Sequence, residues 1–111
     1  MVAPELRGET DIDTGLEYGT GDPVLVRVVR RPGRISVTDE GAAVQRADHP
    51  PGWRAAARGI GEELGVNVSR HGVVSLPVVA VGPGLDTIVQ RIGDASLALY
   101  QELLELQAAR V

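Results

Sequence analysis

Arg27, Arg31 and Arg34 fall in a stretch of alternating residues, PVLVRVVRRPGRISVT, that holds four Arg and no acid. On an extended strand successive side chains point to opposite faces. Val24, Val26 and Val28 therefore take one side, and Leu25, Arg27, Val29 and Arg31 the other. Folded back at Pro32-Gly33, the chain brings Arg34, Ser36 and Thr38 onto the arginine side. Three guanidinium groups on one face can capture an anion or an acidic peptide through charge-assisted hydrogen bonds. The same side chains can also form a solvated sheet face, neutralised by the chain's own carboxylates. Residues 1 to 22 supply six acids against Arg7 alone.

Other chemistry-bearing residues are sparse. Asp39 and Glu40 are adjacent carboxylates at a helix start, where a polar side chain accepts bonds from otherwise unpaired backbone N–H groups; an acid or metal-ligand role is the alternative. His49 lies in a Pro-rich loop and His71 in a turn, without the clustered spacing that marks a zinc site. Ser69 stands two residues from His71, which is no triad. An enzyme, or an enzyme accessory domain, would need Asp39, Glu40 and His71 to converge on one pocket. Gly82-Pro83-Gly84 before a helix is too short for a phosphate loop, and Pro83 removes a donor. The absence of Cys excludes disulfides and thiolate chemistry, and nothing in these residues calls for a metal or a cofactor. Nucleic acid fits poorly, because the chain is acidic, holds no Lys, and places no aromatic ring among the arginines; weak binding of nucleic-acid phosphates by the arginine patch is the minor alternative.

The elements that position these residues follow from pattern. A chain of 111 residues is the size of one domain. Phe is absent and Trp53, Tyr18 and Tyr100 are the only aromatic residues, so the core is aliphatic. Residues 1–15, acidic and turn-rich, are expected to form a flexible end, with Leu16 to Tyr18 able to add a short edge strand; residues 16–111 form a single α+β domain. A two-residue turn at Pro32-Gly33 sets Val28 opposite Val37, Arg30 opposite Ile35 and Arg27 opposite Thr38, although Pro-Gly also suits a longer loop that would shift this register. Thr38 or Asp39 caps a short helix through Ala42 to Gln45. A second helix runs from Trp53 to about Leu64, its Trp53, Ala56, Ala57, Ile60 and Leu64 on one face. Val66 to Ser69 and Val73 to Val81 form a second hairpin, with Pro77 at an edge or bulge because it cannot donate to a ladder. Asp86 or Thr87 caps a long final helix. The plan is two β-hairpins in an antiparallel sheet with helices on one face.

The strand VLVRVV, the strand RISVTDEG with its Thr-Asp-x-Gly end, the later ELGVNV and the closing leucine-rich helix resemble the bacterial and phage family filed as domain of unknown function 1828, over about Asp22 to Leu106. The resemblance implies a fold plan and a prokaryotic or mobile-element setting, and it assigns no catalytic residue.

On the last helix Ile88, Ile92, Leu99, Leu103 and Leu106 form one stripe, which Leu97, Tyr100 and Leu104 broaden beyond what a small sheet readily covers. If exposed, those three would form a homodimer interface. The expectation is a non-enzymatic, homodimeric protein-binding module offering Arg27, Arg31 and Arg34 to a protein or acidic ligand. No apolar run reaches the ~20 residues that span a bilayer, and no signal peptide is evident, so the expected setting is the cytoplasm.

Overall fold

Along the chain run β1 (Gly8–Glu17), β2 (Pro23–Arg31), β3 (Arg34–Thr38), α1 (Ala42–Arg46), α2 (Trp53–Leu64), β4 (Asn67–Val68), β5 (Val74–Val78) and α3 (Leu85–Ala108), in a computed structural model that describes residues 8–19 and 21–109. The strands form one antiparallel sheet in the order β1-β2-β3-β5-β4. This is the α+β plan expected from the pattern, with the long helix last. No helix among the described residues is long and apolar enough to cross a membrane.

The β2–β3 hairpin has the register read from the residues: Val28 faces Val37, Arg30 faces Ile35 and Arg27 faces Thr38. Pro32 and Gly33 close a two-residue turn, and Gly33 takes φ 72°, a left-handed conformation open to glycine at little cost. Val24, Val26, Val28, Val37 and Val74 are buried in one layer. Across it lies α3, which touches β1, β2, β3 and β5, while α1 and α2 pack against α3 in turn.

The expectation of a flexible end over residues 1–15 is corrected for its second half. Gly8–Glu17 is a ten-residue edge strand paired along β2; residues 1–7 lie outside the described residues. The reason is a period of two hidden in an acidic composition. Thr10 sits opposite Val28 and Ile12 opposite Val26, on the helix side, while Glu9, Asp11 and Asp13 alternate outward. The strand is irregular between Asp13 and Glu17, where the Thr14 hydroxyl donates to the Val24 carbonyl at 2.7 Å.

Pro77 occupies the open stretch of β5, because β4 covers only Val74 and Ser75. Val74 bonds toward β3 through its carbonyl, which accepts from Asp39 N. By alternation Pro77 aims its missing donor away from β3, where no strand waits for it. The helix caps differ from expectation: Gly41 and Gly84, with no side-chain cap bond, precede α1 and α3. Asp39 acts one step earlier, and Asp86 falls within the first turn of α3.

The wide apolar band of α3 is covered largely by the chain itself. Tyr100 is buried, its ring edge-on to Tyr18 with centroids 5.2 Å apart. Leu97 is half-buried against the core, and of the three residues expected at a dimer interface only Leu104 is exposed. That expectation is corrected at Tyr100: α1 and α2 wrap the flanks of α3, so its apolar face is wider than a sheet alone would cover.

At Gly93 the helix passes so near β1 that an added Cβ would lie 2.7 Å from Thr14 Cγ2. The Thr14 hydroxyl is committed to Val24, which holds the side chain in place. Gly93→Ala should therefore lower stability by about 1 kcal/mol in urea denaturation, an overpacking cost of ~1–3 kcal/mol outweighing the ~1 kcal/mol gain in helix propensity. In a Thr14→Ser background, which deletes the nearest methyl but keeps the residue's Cβ 3.1 Å away, the same change should cost less.

Candidate functional site

The outward face of the sheet is an ion-pair network. Arg27 Nε donates to Asp11 Oδ1 at 2.8 Å, and its Nη1 reaches Glu9 at 3.3 Å and Glu40 at 3.1 Å. Asp11 stands directly opposite Arg27 in the ladder, and the hydrogen bond from Arg27 holds its carboxyl below the ordinary value. Arg31 Nη2 donates to Glu9 at 3.2 Å. Nearby, Arg46 pairs with Asp22 at 2.9 Å and lies over the Tyr18 ring. Arg27 and Arg31 thus face outward as expected, but β1 supplies their counter-ions.

Arg34 is held differently. With Arg30, Arg31, Ile35, Val78 and Val79 it lines a pocket of about 430 Å³ at the tip of the β2–β3 hairpin, where Arg30, Ile35 and Val78 stand on the helix side of the ladder and Arg31 and Arg34 on its outer side. Among the described residues no carboxylate pairs with Arg30 or Arg34; Arg30 donates only to the neutral Thr10 hydroxyl at 3.3 Å. Val79 is 52% exposed and Val81 is 99% exposed, so apolar surface extends beyond the pocket. Cationic and apolar walls together can take an anionic group attached to an apolar one. Arg30 was missed by sequence reasoning, since alternation puts it on the core side. The signal was its place at the end of β2, beside the Pro32-Gly33 turn.

Asp39 is buried, 2% exposed. Its Oδ1 accepts the N–H groups of Gly41 at 2.8 Å and Val74 at 2.9 Å, and its Oδ2 accepts the Ser96 hydroxyl at 2.7 Å. Because Ser96 spends its one proton on Asp39, the Tyr18 hydroxyl donates to Ser96 Oγ at 2.8 Å. Burial pushes the Asp39 carboxyl above its ordinary value against the pull of these bonds, and burial likewise raises Tyr18. The sequence pointed to Asp39 as a polar group before α1, but its carboxylate binds Gly41 ahead of the helix in place of capping it; Ser96, 57 residues away, gave no local signal.

Glu40, at φ 58°, lies before α1 and not in its first turn, and binds Arg27. Asp39 and Glu40 line one shallow pocket with Tyr18, Arg27 and Arg46, and His71 is not among its walls. His71 is exposed in the β4–β5 turn, and His49 packs edge-on against Trp53. The three residues an enzyme would need together are not brought together. Among the described residues no group of three or more His, Cys, Asp or Glu could hold a metal. No family model, no curated protein and no solved structure matches the chain.

Asp39→Ala should cost roughly 3 kcal/mol in thermal or urea unfolding, well above the ~1 kcal/mol of a lost cap, because it strands two backbone donors and a hydroxyl. A cost at the level of a simple cap would contradict the network. The pH dependence has a definite sign. A carboxyl raised above 3.8 in the folded state adds stability that is fully present below 3.8 and lost as pH rises through the folded value. NMR titration of the native protein should give Asp39 a midpoint above 3.8, and Asp39→Asn should remove this part of the pH profile.

Proposed function

We propose that this chain is a binding module, and not a catalyst, that takes an acidic, partly apolar segment of a partner protein at the tip of the β2–β3 hairpin. The observation that carries this reading is the pocket lined by Arg30, Arg31 and Arg34 together with Ile35, Val78 and Val79, two of whose arginines have no carboxylate partner among the described residues. Guanidinium groups match carboxylates in a planar, two-pronged geometry, and the apolar walls add area that water leaves readily. The exposed Val79 and Val81 extend the contact toward α3. Asp39, engaged by Gly41 at the start of α1, Val74 of β5 and Ser96 of α3, and Glu40, bound to Arg27, serve the scaffold in this reading.

A fluorescein-labelled peptide of alternating Glu and Leu is the probe. Fluorescence anisotropy should show saturable binding that weakens roughly tenfold or more in Arg30→Ala/Arg34→Ala, as loss of charge-assisted bonds of ~1.5–3 kcal/mol requires. Val79→Ser should weaken it by a smaller factor, and thermal unfolding should barely move in either variant. Unchanged affinity in the double-arginine variant rejects this site.

A further inference from the structure

A second arginine cluster lies apart from the hairpin tip. Arg54 and Arg58 stand one turn apart on α2, and Arg70 comes from the β4–β5 turn; together with Trp53, Val68 and Ser69 they line a pocket of about 270 Å³. Among the described residues no carboxylate lines it, and none of the three arginines forms an ion pair. Glu62, four residues from Arg58 on the same helix, does not close the pair that its spacing would allow. The chain as a whole carries a net charge of −4, so three unneutralised guanidinium groups around one cavity are a local reversal of sign.

The polar side chains of the pocket are donors. Arg54 lies over the Trp53 ring, 4.7 Å from its centroid, which restricts the guanidinium before any ligand arrives. The Ser69 oxygen accepts the backbone N–H groups of His71 and Val73, both at 3.1 Å, which leaves the hydroxyl proton to be donated. Three forked cations and a hydroxyl, converging from a helix and a turn, match the several acceptor oxygens of a tetrahedral oxyanion. The volume falls just below the range typical of drug-sized ligands, which favours a small anionic group over an extended one.

We propose that this pocket binds a phosphoryl group, carried either by inorganic phosphate or by the phosphomonoester end of a small molecule. Isothermal titration calorimetry of the full chain with inorganic phosphate and, separately, with methyl phosphate tests it. Either should bind saturably, with affinity reduced roughly tenfold or more in Arg54→Ala/Arg70→Ala and unchanged in Arg30→Ala/Arg34→Ala. Equal affinity for the two probes assigns recognition to the phosphate alone, and tighter methyl phosphate binding assigns it to a monoester. The unfolding midpoint should rise with phosphate in the wild type and in the hairpin variant but not in Arg54→Ala/Arg70→Ala. The proposal is overturned by no saturable heat up to about 10 mM of either probe, by binding that survives loss of Arg54 and Arg70, or by binding that falls equally in the hairpin variant. The hairpin variant also keeps this test independent of the peptide site.

Discussion

The Asp39 carboxylate is where the layers of this protein are joined. Its two oxygens receive the start of α1 at Gly41, the inner strand β5 at Val74 and the middle of α3 at Ser96, and Ser96 passes the connection to Tyr18 beyond β1. The surrounding core is aliphatic, and aliphatic burial is strong but non-directional: a helix sliding over a layer of valines changes the buried area little. Hydrogen bonds to one fixed carboxylate do penalise such sliding, because each displaced donor is left unsatisfied away from water. Burial opposes the charge, and the three donors, Gly41 N, Val74 N and the Ser96 hydroxyl, counter that opposition. The result is a position where the chemistry of a single side chain fixes how helix and sheet are aligned.

Charge is arranged by the same logic of local pairing. The outward carboxylates of β1 stand in the ladder beside Arg27 and reach Arg31, so that the outer face of the sheet is close to neutral although both strands are strongly charged. Pairs of this kind, exposed to water, add little to stability. Their larger effect is on what remains: Arg30 meets only the neutral Gly8 and Thr10 of β1, and among the described residues no carboxylate pairs with Arg34, Arg54, Arg58 or Arg70.

The legible parts of the fold were those written in local periodicity. Alternating valines with Pro-Gly between them gave the β2–β3 pairs residue by residue, and the α2 stripe ending at Gly65 gave that helix its bounds. β1 was not legible, because its apolar positions are Thr10, Ile12 and Thr14 and its acids dominate the composition; an edge strand needs only one apolar face, and threonine fills it. Tyr100 lies off the main stripe of α3 by periodicity, yet it is buried because its partner Tyr18 comes from the far end of the chain. The arginine face was legible in direction, and its neutralisation by the acidic residues 1 to 22 was one of its two readings, but the individual pairs were not legible. Which guanidinium groups stay free depends on the neighbour across the ladder, and the strand that supplies the neighbour was the one left unread.

This difference in pairing decides where an outside anion can compete. At Arg27 a ligand carboxylate must displace Asp11, Glu9 and Glu40, which are tethered within 3.3 Å and so act at an effective concentration no free ligand matches. It would also leave three like charges crowded together. At Arg34, or among Arg54, Arg58 and Arg70, the same anion has no carboxylate of the described residues to displace, and it relieves the repulsion between neighbouring guanidinium groups. In the proposed reading a cationic residue serves recognition because no carboxylate among the described residues pairs with it, and not because it is exposed, since the ion-paired Arg31 is exposed too.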